Sequence, residues 1–199
     1  AIDFWFKASK YSYKSGETFN YIIFYEHTAS AYYLMNKYDS ALVICKNSMN
    51  LFKEHGYIKE SYDAMPTFIM ILIKQDRLQE ARNYIKDYET NSNLFNNNGH
   101  IQKGKELYYY IKGIYNLKLA ELDSSVYYFR KLLDNANNYN RKESAYEGLL
   151  KVYQEIGEND SVAKYAKLYC EINDSAQIKL ATIETVKHEA LYNYSRNKL

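Results

Sequence analysis

The feature that most constrains this chain is a short motif that returns along its length. It reads Tyr38-Asp39-Ser40-Ala41, then Leu122-Asp123-Ser124-Ser125, Asn159-Asp160-Ser161-Val162 and Asn173-Asp174-Ser175-Ala176, with a degenerate copy at Arg77-Leu78-Gln79-Glu80-Ala81. Each copy opens an apolar pattern of helical period. Asp and Ser suit helix starts, because their oxygens accept hydrogen bonds from unpaired backbone N–H groups and a carboxylate is favoured at the positive helix end. The motifs are therefore expected as helix caps rather than catalytic pairs. After four of the starts, small or apolar residues fall at i, i+4 and i+7: Ala41, Cys45 and Ser48; Ala81, Ile85 and Tyr88; Ser125, Phe129 and Leu132; Val162, Ala166 and Tyr169. That spacing marks one face of a helix.

A second helical stretch precedes each start. Ala29 and Tyr32, Ile69 and Leu72, Gly113 and Asn116, and Leu150 and Tyr153 lie twelve and nine residues before the respective anchors. The unit is thus a pair of helices, and a stack of such pairs buries a core that no single pair could bury alone. Ala1, Trp5 and Ala8 keep the i, i+4, i+7 spacing, so residue 1 is expected inside the second helix of a unit whose first helix is missing, and the chain is read as a fragment.

This arrangement resembles the tetratricopeptide repeat, whose first helix carries L-G-x2-Y and whose second carries A-x3-F. The resemblance runs over nearly residues 1 to 172. The anchors 1, 41, 81, 125 and 162 lie 37 to 44 residues apart, longer than the family's unit of about 34, so longer helices or loops are required. Gly occupies the expected first-helix place only at Gly113. The expected fold is all-α: an α-α superhelix, a tetratricopeptide-like solenoid of antiparallel helix pairs over residues 1–174, followed by a capping or connector helix over 175–199. The periodicity predicts helices near 1–14, 18–36, 39–54, 58–75, 78–90, 101–119, 122–135, 141–156, 160–172 and 175–199. Pro66 is incompatible with a helix interior and suits a first turn, which would start that helix near Ala64. The segments 91–100 and 135–140, rich in Asn, read as loops.

Composition removes several function classes. Lys and Arg total 26 against 24 Asp and Glu, a net charge of +2, too small to point to nucleic acid or an anionic membrane through bulk charge. The apolar runs from Tyr21 to Tyr25 and from Phe68 to Ile73 fall well short of the roughly 20 residues that span a bilayer, and Phe4, Trp5 and Phe6 follow Ala1 without a basic leader. Neither membrane insertion nor a signal peptide is expected of this segment. Cys45 and Cys170 have no paired spacing and read as buried free thiols. His27, His55, His100 and His188 lack partners at ligand spacing, and His188-Glu189 lacks the second His of a zinc-protease helix. No phosphate loop or nucleophile elbow is visible. The expectation is a protein without metal, cofactor or catalytic residues.

What stands out instead is the count of 24 Tyr. Tyr108, Tyr109 and Tyr110 are consecutive, and three rings about 100° apart on a helix cannot all enter one core. The resemblance implies a concave surface lined by first helices. By that pattern it would hold Glu26, Ser30 and Tyr33; Met70, Ile73 and Lys74; Tyr110, Ile114, Leu117 and Lys118; and Glu147, Lys151 and Gln154. Members of the family that clamp the carboxylate end of chaperone tails place Lys and Asn where Glu26 and Ser30 stand here, which argues against that ligand. The mixed lining implies a protein or peptide partner, an amphipathic helix or an extended segment, and no direct nucleic-acid contact.

In the last stretch Leu180, Ile183, Val186, Ala190, Leu191 and Tyr194 form a helical stripe flanked by Lys179, Lys187, His188, Arg196 and Lys198. Such a helix would cap the stack, or continue past Leu199 as a longer helix or coiled coil through which two chains could pair. Together with the Tyr and Asn enrichment, the segment from Lys187 to Arg196 resembles the repeat-bearing sensor region of bacterial transcriptional regulators and signalling proteins. That resemblance implies a sensor module, periplasmic if a membrane span follows the segment and cytoplasmic otherwise. The alternative is a freestanding adaptor or assembly factor without an output domain.

Overall fold

In a computed structural model the backbone is described for residues 2–196, and side-chain surroundings for 3–175, 177 and 178. Its elements are α1 (Ile2–Lys14), α2 (Thr18–Leu34), α3 (Tyr38–Glu54), a 3-10 turn (Glu60–Tyr62), α4 (Met65–Lys74), α5 (Leu78–Asn91), α6 (Leu107–Lys118), α7 (Leu122–Asp134), α8 (Tyr139–Ile156) and α9 (Asn159–Arg196). The described residues are all-α apart from a single bridge between Phe95 and Ile101. The chain forms two compact units, Ala1–Ile111 and Lys112–Leu199. In the first, α1 packs on α2, α2 on α3, α3 on α4 and α4 on α5; in the second, α7 packs on α8 and α8 on α9. Packing of each helix on its sequence neighbour is the arrangement of an α-α superhelix.

The pairs are closed by a turn that repeats at atomic detail. Three residues link α1 to α2 (Ser15, Gly16, Glu17), α2 to α3 (Met35, Asn36, Lys37), α4 to α5 (Gln75, Asp76, Arg77) and α6 to α7 (Leu119, Ala120, Glu121). The middle residue is left-handed each time, with φ of 76°, 57°, 60° and 57°. The third residue donates its N–H five residues back, Glu17 to Ser12 O, Lys37 to Tyr32 O, Arg77 to Leu72 O and Glu121 to Asn116 O, all at 2.9 Å. This is the Schellman closure of a helix C-terminus, and the short link reverses the chain into an antiparallel pair. The same third residue accepts the first bond of the following helix, from Ala41 to Lys37 O at 3.1 Å, Ala81 to Arg77 O at 3.0 Å and Ser125 to Glu121 O at 3.0 Å. The repeat anchors are thus structurally equivalent positions, four residues beyond each turn.

The capping expectation fails in detail. Lys37, Arg77 and Glu121 stand at the N-caps of α3, α5 and α7 and make no side-chain cap bond. Asp39 and Asp123 lie within the first helical turn, where the helix dipole favours a carboxylate, and Asp39 Oδ1 also accepts from Gln75 Nε2 at 3.1 Å. A true side-chain cap occurs at α8, where Asn138 Oδ1 accepts the Arg141 N–H at 2.9 Å.

The anchors build the cores. Ala29, Ala41, Cys45, Ser48, Ile69, Leu72 and Ala81 are fully enclosed in the first unit, as are Ser125, Phe129 and Leu132 in the second. Ser125 Oγ donates to Gly113 O at 2.8 Å, binding α7 to α6. The last pair departs from the register: Val162, Ala166, Tyr169 and Leu150 are half-buried, and Leu149, Val152 and Tyr165 are enclosed instead. Tyr153 keeps its expected place in the core, while Gly148 rather than residue 150 gives α8 its close approach to Phe129.

Other boundaries also differ from the sequence reading. The stretch 58–75 is a 3-10 turn followed by α4, with Pro66 in the first helical turn as its ring requires. Residues 101–106 are not helical. Gln102 N–H donates to Leu94 O at 2.8 Å, Asn96 N–H to His100 O at 2.9 Å, and Lys105 Nζ to Ser92 O at 2.5 Å, so the loop is tied to itself. The break expected near Asn173 is absent, and α9 continues through it for 38 residues. Cys45 is buried, whereas Cys170 is exposed. The side chains of the stripe from Leu180 to Tyr194 lie outside the described residues.

Candidate functional site

The residues expected on first helices fall into both units. On α2, Glu26 is largely enclosed, with 15% of its side chain exposed, and lies 3.3 Å from His27 Nδ1. That contact holds the imidazole above its ordinary pKa, against partial burial. Ser30 Oγ is 3.4 Å from Thr67 Oγ1 of α4, so α2 and α4 meet through a pair of hydroxyls. Tyr33 is half-buried, its ring 5.8 Å from that of Tyr38. On α4, Met70 is 8% exposed and Ile73 only 2%, which places both in the packed core rather than on a lining; Lys74 is exposed. Every residue from Met65 to Ile73 is buried, because α2, α3, α5 and the 3-10 turn all pack on this one helix. Tyr108 and Tyr109 are core residues and Tyr110 is half-buried, in line with rings that diverge around a helix.

In the second unit, Ile114 and Leu117 are half-buried and Lys118 is exposed at the end of α6. Glu147 and Lys151 of α8 form an ion pair one turn apart, and Gln154 follows on the same exposed face. The sequence-selected residues therefore supply charge and hydrogen-bonding capacity at Glu26, Ser30, Lys74, Lys118, Glu147, Lys151 and Gln154. They supply little apolar surface.

The apolar surface lies elsewhere, on a face that the repeat pattern does not single out. In the first unit Tyr21 and Tyr25 stand one turn apart on α2, their rings nearly parallel at 22° and 6.2 Å apart. Tyr13 of α1 meets Tyr21 at 5.3 Å. This row of rings separates two hollows. One, of about 280 Å³, lies between α1 and α2 and is walled by Phe6, Ser9, Lys10 and Tyr13. The other, of about 290 Å³, lies between α2 and α3 and is walled by Asn47, Asn50, Leu51 and Glu54. Tyr21 and Tyr25 line both. Tyr13 is 70% exposed and Phe6 41%. Partial burial, with its two tyrosine neighbours, raises the Tyr21 hydroxyl pKa, so it stays a neutral donor. The available signal was the i, i+4 pair Tyr21 and Tyr25 facing Phe6, Lys10 and Tyr13 at i, i+4, i+7.

A larger open groove of about 640 Å³ in the second unit runs between α7 and the α8–α9 turn, with Tyr127, Arg130 and Lys131 opposite Tyr153, Ile156 and Glu158. Arg130 Nη2 donates to Tyr153 OH at 2.8 Å, and Tyr153 stacks on Tyr165 at 5.4 Å, so the guanidinium is already engaged by the wall.

Among the described residues no cluster of three or more His, Cys, Asp or Glu side chains could hold a metal ion. No described helix is long and apolar enough to cross a membrane. Compared with known families and curated proteins, the chain matches no family model and no curated sequence.

Proposed function

We infer that the chain is a non-catalytic, tetratricopeptide-like module that binds a protein or peptide, and that it serves as the sensor or interaction region of a larger bacterial signalling or transcription-regulating protein. The observation that carries this reading is the recurrence of one turn, one anchor position and one buried face from pair to pair. Repetition of the buried face repeats the solvent face as well, and a surface built from successive helices suits an elongated partner rather than a small substrate. Its chemistry suits recognition: lysines, carboxylates, amides and half-buried tyrosines.

The sensor role supposes that partner binding is felt at α9, which packs on α8 and runs 38 residues in one piece. A continuous helix transmits a displacement at one end to the other without a hinge to absorb it.

The test begins with a photo-crosslinking side chain placed at Lys74 or Lys151 in the native host, followed by identification and purification of the captured protein. Binding of that protein is then measured for charge reversals at Lys74, Lys118 and Lys151 and for Tyr110→Ala and Ile114→Ala. Loss of affinity of about tenfold or more is expected for at least one variant in the contacted unit. Unchanged affinity in all of them would refute binding through these helices. Hydrogen exchange over residues 175–196 should also change on binding, and an unaltered pattern there would rule out signalling through α9.

A further inference from the structure

We propose that the twin hollows around Tyr13, Tyr21 and Tyr25 form a binding site for a proline-rich segment in the extended polyproline conformation, with an acidic residue at its Lys10 end and a basic residue at its Glu54 end. The inference rests on the reading of the chain as a peptide-binding module, but it uses a different face, between α1, α2 and α3.

Three observations carry it. The first is shape. The row of rings spans at most about 11.5 Å from Tyr13 to Tyr25, the scale of one turn of a polyproline helix at about 9 Å. Hollows of 280 and 290 Å³ lie just under the usual range for small-ligand pockets, about 300–1,000 Å³. Each holds one or two side chains, not the face of an α-helix about 10 Å across. Two hollows divided by an aromatic ridge accept the successive side-chain pairs that a three-residue-per-turn helix presents.

The second is hydrogen-bonding polarity. A polyproline segment offers carbonyl acceptors, and its prolines have no N–H to satisfy. The walls offer matching donors: the Tyr21 and Tyr25 hydroxyls and the exposed Asn47 and Asn50 amides. Proline rings also bury apolar surface against tyrosine faces at little conformational cost, because the ligand is already extended.

The third is charge. Lys10 lies in the hollow between α1 and α2, and Glu54 in the hollow between α2 and α3. One cation and one anion on opposite sides of the ridge give the site a direction. The face is also separate from the other aromatic stripe of α1. Phe4, Ala8 and Tyr11 sit two residues before Phe6, Lys10 and Tyr13, about 200° around the helix.

The test is calorimetric titration of the whole 199-residue chain, paired with NMR shift mapping. The probe is a seven-residue peptide with two Pro-Pro pairs around an alanine, glutamate at one end and arginine at the other. Saturable binding with shifts at α1–α3 is expected. Tyr13→Ala should weaken it about tenfold. Glu54→Lys should weaken it several-fold and favour a peptide whose arginine is replaced by glutamate. Both positions are exposed, so an unchanged circular dichroism spectrum will confirm that the variants fold. The proposal is overturned if the peptide does not bind, if an all-alanine version binds equally, if both variants bind as the parent does, or if a linear glucose oligosaccharide occupies the ridge instead. Charge reversal at Lys74, Lys118 or Lys151 should leave this peptide's affinity unchanged, which separates failure here from failure of the first-helix reading.

Discussion

Phe129 has no exposed surface and is held between two glycines. A Cβ built at Gly113 would come within 2.7 Å of its ring, and one at Gly148 within 2.3 Å. The ring lies wholly inside the core, so it cannot swing away. Gly113→Ala and Gly148→Ala should each destabilise the protein by about 1–3 kcal/mol through overpacking, even though Ala favours the helix by up to about 1 kcal/mol. The larger loss is expected at Gly148, and chemical denaturation of the two variants measures it. Gly113 could be read from the sequence, because it stands at the repeat's close-approach position; Gly148 could not, because it lies two residues off that register. The two thiols make a second contrast. Burial, reinforced by the charge of Glu26, raises the Cys45 pKa, and burial with the charge of Asp63 raises that of the Tyr88 hydroxyl. An acid whose folded pKa lies above its unfolded value keeps its contribution below the unfolded pKa and loses it as pH rises. Stability should therefore fall as pH climbs beyond the ordinary thiol value of 9.0, and Cys45→Ala should lessen the fall. At pH 8 a disulfide reagent should modify Cys170 at once and Cys45 only on unfolding, a difference seen as one thiol equivalent released before denaturant and a second after it.

At the scale of elements, the turns decide the boundaries more than the caps do. Each Asp-Ser start that begins a helix has a left-handed residue three positions before its Asp: Asn36 before Asp39, Ala120 before Asp123 and Gly157 before Asp160. Asp174 has Glu171 at that place, with no turn, and the helix runs on. The repeated tetrapeptide was legible, but the signal that gives it meaning was the residue ahead of it. Ala120 hides this signal, since Ala rarely adopts a positive φ. Relieving its strain with Ala120→Gly should raise stability by about 0.5–1 kcal/mol, the left-handed penalty of an L-residue less the entropy cost of Gly. Gly157→Ala, at φ 79°, should lower it by about 1 kcal/mol. Thermal unfolding of this pair checks the sign at both sites. The caps give a parallel comparison. Asn138→Ala removes a real side-chain bond and should cost about 1 kcal/mol, while Asp123→Ala, in the first turn of α7, loses a dipole interaction of about 0.3–0.5 kcal/mol.

At the scale of the whole molecule, spacing shows which helix face repeats, but not what else covers it. Lys151 and Gln154 do fall on an open face of α8, whereas Glu26 and Ser30 are partly covered because α2 packs on α1, α3 and α4. Met70 and Ile73 were drawn to the same surface by the same arithmetic, yet α4 is enclosed by α2, α3, α5 and the 3-10 turn, which follows from the irregular corner at 55–64 and not from any period. The tyrosine ridge was missed for the converse reason, as it lies between three helices on a face the pattern assigns to packing. The same local logic governs unfolding. In arrays where each helix packs on its sequence neighbours, stability is a sum of nearest-neighbour terms, and regions open as contiguous cooperative units. Phe129 joins α6, α7 and α8 within the unit Lys112–Leu199. Phe129→Ala should remove about 3 kcal/mol or more from that unit, speeding amide exchange in α7 and α8 by about a hundredfold. The unit Ala1–Ile111 has its own core, built on Ile22, Ala41, Ile69 and Leu72, so under nearest-neighbour coupling exchange in α3 and α4 should stay at its original rate. Exchange resolved by peptide reads both units in one sample. Equal acceleration in α3 and α7 would mean that the chain opens as a single cooperative body, and the nearest-neighbour account would have to be given up.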